Sequence, residues 1–145
     1  MKNKIIFLLA IIIFSIKPSY GQKDSLEYYV NKLNWNSFEE IIGFAPRIKL
    51  GPDIHNLIAF KDPQKINYLV NKLSDETKTV AIHIVLTNVY IKGYSSFGMI
   101  DEAGKWSVFE YNGLKWKRRN NVIRSISKKD IKRIKIYWKK RIEND

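Results

Sequence analysis

Apolar positions recur along this chain in blocks of different period. Residues 5–16 (IIFLLAIIIFSI) form an apolar run broken only by Ser15. Ser25–Leu33 (SLEYYVNKL) then places Leu26, Tyr29, Val30 and Leu33 at i, i+3, i+4 and i+7. That is the spacing of one helix face, so a short helix is predicted there. Asn36 or Ser37 can cap a second short helix over Phe38–Phe44 (FEEIIGF). Glu39 and Glu40 would lie in its first turn, where the helix dipole favours acids. Arg47–Phe60 shows no period and reads as irregular, with Gly51-Pro52 marking a turn.

Lys61–Leu73 is the clearest helical pattern. Asp62 suits the cap, Pro63 suits the first turn, and Ile66, Leu69, Val70 and Leu73 follow at helical spacing. Val80–Ile91 (VAIHIVLTNVYI) is apolar on nearly every side. Its β-branched content suits a buried strand; its length and the polar lead-in Ser74–Thr79 suit a buried helix, and helix is the reading adopted. The two then form a helical hairpin with Val70, Ile84 and Val85 on facing surfaces.

From Lys92 onward isolated glycines break the chain into short pieces. Trp106–Tyr111 and Leu114–Arg119 flank Asn112-Gly113, a pair that accepts the positive φ angles of a tight hairpin turn. Val122–Ile126 adds a third strand. Ser127 caps a final helix, with Asp130 three residues on in the manner of a capping box. In that helix Ile131, Ile134, Trp138 and Ile142 form one narrow apolar stripe, and Ile136 falls on the opposite side. The pattern predicts one small α+β domain: N-terminal helices with a helical hairpin, a short antiparallel hairpin or sheet, and a C-terminal amphipathic helix.

The first block is an address rather than part of that fold. Lys2 and Lys4 precede the apolar run, Lys17-Pro18 ends it, and Ser19-Tyr20-Gly21 offers small residues for cleavage before Gln22. This is the layout of a secretory signal peptide. As a helix the 12-residue run would extend ~18 Å, short of the ~30 Å hydrocarbon core. Residues 1–21 are therefore expected to be removed. Residues 22–145 form the domain, exported to the periplasm or exterior, with no transmembrane segment in the mature chain.

Charge changes the picture at one end only. The net charge is +12. Lys, Ile and Asn supply 54 of 145 residues, a bias that an AT-rich genome produces without selection. Uniform bias does not explain the distribution, however. Residues 22–114 carry 10 basic and 11 acidic side chains; residues 115–145 carry 13 and 3. The basic surface at that end is the candidate binding region: Lys115, Lys117 and Arg119 on the outward side of the hairpin, and Lys132, Arg133, Ile136, Lys139 and Lys140 on the final helix.

Candidate chemistry is sparse. The chain has no cysteine, which removes disulfides, thiolate metal sites and a cysteine nucleophile. His55 and His83 are the two histidines, without a metal-ligand spacing, so neither a metal site nor a cofactor is expected. His83, in an apolar segment, reads as a hydrogen-bonded core histidine. His55 reads as a loop residue with Asp53 nearby, a weak basis for a catalytic pair, and no catalytic residue is assigned. The adjacent acids Glu39-Glu40 and Asp101-Glu102 point in different directions and read as surface. Aromatics interleave with basics in WSVFEYNGLKWKRRN, yet export and inward-facing tryptophans oppose nucleic acid. The reading that results is a small exported non-catalytic binding protein, with an inhibitor or toxin-neutralising immunity-type protein as one subtype. Its partner is an unidentified protein or an anionic envelope surface. The alternatives are a hydrolase using a loop His/carboxylate pair, or a peripheral binder of anionic membrane or envelope polymers through the basic C-terminal segment.

Overall fold

The computed structural model describes residues 26–41, 47–60, 63–91, 93, 96–100, 106–119 and 123–144. The signal-peptide reading, the Asp62 cap and the Asp101-Glu102 pair lie outside them. The order of elements is α1 (residues 26–32), β1 (Phe38–Ile41), β2 (Arg47–Leu50), α2 (Pro52–Ala59), α3 (Pro63–Lys72), α4 (Thr79–Tyr90), β3 (Ser96–Ile100), β4 (Ser107–Tyr111), β5 (Leu114–Arg119), β6 (Ile123–Ser125) and α5 (Lys128–Glu143). It is an α+β fold with two small antiparallel sheets.

α4 occupies the centre. Residues Thr79–Thr87 are all buried, which is why the segment shows no apolar stripe. α2, α3 and strand β5 pack on it. Val70, Ile84 and Val85 are buried in the core these elements share, as the helical hairpin requires. The buried Lys65 on α3 donates to the carbonyls of Leu57 and Phe60 and so satisfies the C-terminus of α2.

β3, β4, β5 and β6 form an antiparallel meander. Asn112 and Gly113 both take positive φ, +43° and +81°, and close the β4–β5 turn as the Asn-Gly pair predicts. Phe109, Tyr111, Leu114 and Trp116 are buried, while Lys115, Lys117 and Arg119 alternate with them on the exposed side. Ser127 caps α5 by accepting from the Asp130 amide at 3.0 Å, and Ile131, Ile134 and Trp138 bury the apolar stripe.

Three sequence readings are corrected. Phe38–Phe44 was expected to be helical, but Phe38–Ile41 is a strand. It pairs with Arg47–Leu50 in the register Phe38↔Leu50 to Ile41↔Arg47. Its period-2 pattern was hidden because one inward position is a glutamate. The irregular reading of Arg47–Phe60 gives way to β2 and α2. Gly51-Pro52 begins α2 instead of marking a free turn, with proline in the first turn where it needs no donor. Gly51 is required by close approach: its amide donates to Ser37 O at 2.9 Å, and a Cβ there would lie 2.6 Å from that oxygen. β3 was not foreseen, since Gly98 interrupts its pattern.

Candidate binding surface

The outer face of α5 is built by helix geometry around one residue. Side chains three and four positions apart are neighbours on a helix surface. The neighbours of Ile136 by that rule are Lys132, Arg133, Lys139 and Lys140, all cations and all exposed. Ile136 is 45% exposed and the adjoining Tyr137 is 39% exposed. Among the described residues the other exposed large apolar side chain is Tyr28, on α1. α5 thus carries one cation-ringed apolar spot on its solvent side.

The cations on α5 are not equivalent. Arg133 donates to Gly113 O at 2.6 Å and pairs with Asp130 at 3.0 Å, tying the helix to the hairpin turn. Lys135 donates to Ser74 Oγ at 2.6 Å, and Arg141 reaches Tyr90 O at 3.4 Å. Lys128, Lys129, Lys132, Lys139 and Lys140 are exposed, and among the described residues their ammonium groups form no ion pair. These five lysines carry the free charge.

The hairpin residues form a second, separate set. Lys115 pairs with Glu110 at 3.2 Å, and the Arg119 guanidinium lies 5.9 Å from the Trp106 ring. Lys115 and Lys117 line a half-open cleft of about 410 Å³ with Val108, Ser125, Ile126, Ser127 and Asp130. That cleft is where the sheet meets the first turn of α5. Arg119 lies at the far end of β5, away from it. Of the eight candidate residues, the structure gathers four around a fifth, Ile136, and brings Lys115 and Lys117 beside the helix start.

A charged cluster inside the protein was missed. Glu40 was expected at the surface with Glu39. Glu39 is there, 3.7 Å from Lys49. Glu40 is only 3% exposed. Its Oε1 accepts from Trp116 Nε1 and Arg124 Nε at 3.0 Å each, and its Oε2 accepts from Arg118 Nη1 and Arg124 Nη2 at 3.0 Å each. Burial alone would raise this carboxyl; hydrogen bonds from Arg124 and Trp116 and the charge of Arg124 outweigh it, and its pKa is lowered. The two guanidiniums also lie over aromatic rings, Arg118 over Phe109 at 5.1 Å and Arg124 over Phe38 at 5.9 Å. A signal was available: counting by two from the inward Trp116 places Arg118 on the same face.

The histidines take opposite positions. His83 is wholly buried; its Nδ1 accepts from Trp138 Nε1 at 2.9 Å, so its Nε2 carries the proton and donates to Tyr111 O at 2.9 Å. One ring thereby joins α4, the sheet and α5. Desolvation pushes its pKa down to about 4, against the Tyr111 and Asn112 backbone contacts that raise it. His55 is exposed on α2 rather than on a loop, and Asp53 two positions away faces elsewhere on the same helix. No hydrogen bond joins them. Among the described residues no group of three His, Asp or Glu side chains is arranged to hold a metal ion. No described helix is long and apolar enough to cross a membrane. The chain matches no protein-family model, and no curated protein and no solved structure matches it significantly.

Proposed function

We propose that this chain is an exported, non-catalytic binding protein that engages an anionic partner through the outer face of α5. The observation that supports this is the exposed Ile136 with four cations as its helix neighbours. An apolar residue in that setting gains by being covered, and a partner of opposite charge covers it without unpaired charge. Nothing in the core demands Ile136, because the stripe on the other side of α5 already fills that role. An inhibitor or immunity-type role fits only if the target is acidic at this face. The hydrolase reading draws no support from Asp53 and His55, which point apart.

Export is part of the proposal. Protein recovered from an exporting host should begin at Gln22 by mass spectrometry, and an intact Met1 start would remove it. Binding is tested by envelope capture. Wild-type protein should be retained, and a variant with Lys129, Lys132, Lys139 and Lys140 changed to Gln should not, with both folded by circular dichroism. Equal retention of the two would overturn the assignment of the face.

A further inference from the structure

Resting on that reading, we infer that the anionic partner is a lipid surface, with α5 lying along the headgroups and Ile136 and Tyr137 dipping between them. The free cations are lysines: Lys128, Lys129, Lys132, Lys139 and Lys140. The arginine of the ring, Arg133, is occupied with Gly113 O and Asp130. Five lysines without an ion pair on one helix make a diffuse positive patch, which suits a diffuse anionic layer.

The helix agrees. α5 is a 16-residue helix, ~24 Å long, with one side turned to solvent. Two adjoining apolar side chains on so long a cationic side can be covered together by a deformable headgroup layer. Tyrosine has an apolar ring and a polar tip, the combination found at the depth where headgroups meet chains. Docking costs the fold nothing, because Ile131, Ile134 and Trp138 stay in the core while the opposite side meets the lipid. Amphipathic helices that bind membranes alone must spend their one apolar face on the bilayer; here the two faces are already divided.

The test uses vesicles of phosphatidylcholine alone and of phosphatidylcholine with about one-third phosphatidylglycerol, at low and at roughly physiological salt. Protein from an exporting host should sediment with the anionic vesicles and not with the neutral ones. Binding should weaken at higher salt. Ile136→Ser should weaken it about tenfold and Ile136→Leu should keep it, since serine removes the apolar surface that the lipid covers and leucine retains it. All variants share one N-terminus, so any contribution from it cancels. Sedimentation unaffected by Ile136→Ser, or no preference for anionic vesicles, overturns the lipid assignment. Should vesicles fail while envelope capture still depends on the four lysines, the partner is an acidic protein or polymer and the broader reading stands. Should envelope capture also fail, both fall.

Discussion

Two basic regions of this molecule use the same side-chain chemistry in opposite ways. Inside, Arg118 and Arg124 close on Glu40, with about 11% of each arginine side chain exposed and none of the glutamate's. Outside, the lysines around Ile136 have no anion among the described residues. The interior accepts charge only where geometry answers it atom for atom: both Glu40 oxygens accept from guanidinium or indole donors at about 3 Å. The outer face leaves the answer to something else. Charge count alone does not separate these regions; the fraction of each group that has a partner does.

The largest expected effect comes from breaking the inner cluster. Glu40→Gln leaves two mostly buried guanidiniums facing a neutral amide. Removing one partner of a buried ion pair costs ~3–5 kcal/mol, so chemical denaturation should show a loss of that size. Replacing all three charges, as Glu40→Met with Arg118→Leu and Arg124→Leu, should recover a good part of the loss, because no unanswered charge stays behind. A Glu40→Gln variant as stable as wild type would mean the cluster is solvated like the outer one.

Acid probes the same contrast, with His83 as the interior group that stays neutral. Its ordinary value of 6.5 is pushed down to about 4 in the fold. Between those values the unfolded chain binds a proton that the folded chain refuses, so stability falls as pH falls from about 6.5 to about 4. The full loss is roughly 3 kcal/mol. Glu40, lowered from 4.5, acts in the same direction from about a unit above that value downward. The decline between about pH 6.5 and 5.5 therefore belongs to His83. In His83→Gln, denaturation midpoints across that range should be flat, although the variant is less stable throughout. An unchanged slope would show that His83 is not the group responsible.

The contrast also explains which parts could be read from the sequence. α3, the β4–β5 hairpin and α5 were legible because each has one dominant local signal: a helical period with a proline start, an Asn-Gly turn and a serine cap. α4 was legible as a buried apolar segment only, because its β-branched residues suit a strand while its length suits a helix. β1 was not, because Glu40 puts a carboxylate where alternation calls for an apolar residue, and its compensation lies 78 and 84 residues away on β5 and β6. Local pattern carries no information about so distant a partner. The face of α5 was legible for the complementary reason. Ile136 breaks the helical period of its own segment, and a break of that kind is visible within one turn. His83 was recognised as a core histidine, since an apolar run containing one polar ring leaves it few alternatives; its two partners, Tyr111 and Trp138, come from other elements and were not foreseen.

Arg133 is the intermediate case and predicts an intermediate effect. It belongs to the exposed ring yet holds Gly113 O and Asp130. Arg133→Gln should cost up to ~1 kcal/mol, the usual worth of a solvent-accessible charged hydrogen bond. Lys132→Gln, one residue away with nothing to hold, should cost less than about half that. A double-mutant cycle with Asp130→Asn should show coupling for Arg133 and none for Lys132. Equal costs for the two would place Arg133 with the free lysines.

The smallest expected effect is also the most discriminating. Changing Lys129, Lys132, Lys139 and Lys140 together to Gln removes four positive charges from one helix face. None of the four is paired among the described residues, so no buried group loses an answer. Exposed charges contribute little to stability, and relief of mutual repulsion offsets part of what helix-end attraction for Lys139 and Lys140 supplied. The midpoint of thermal unfolding should therefore move by no more than a few degrees, corresponding to about 0.5 kcal/mol either way. Against Glu40→Gln, four charges removed outside should matter several-fold less than one removed inside. A large loss would mean these lysines pack or pair within the fold, and the division of α5 into a core side and a binding side would be wrong. A small change in folding with loss of envelope capture would assign those charges to the partner.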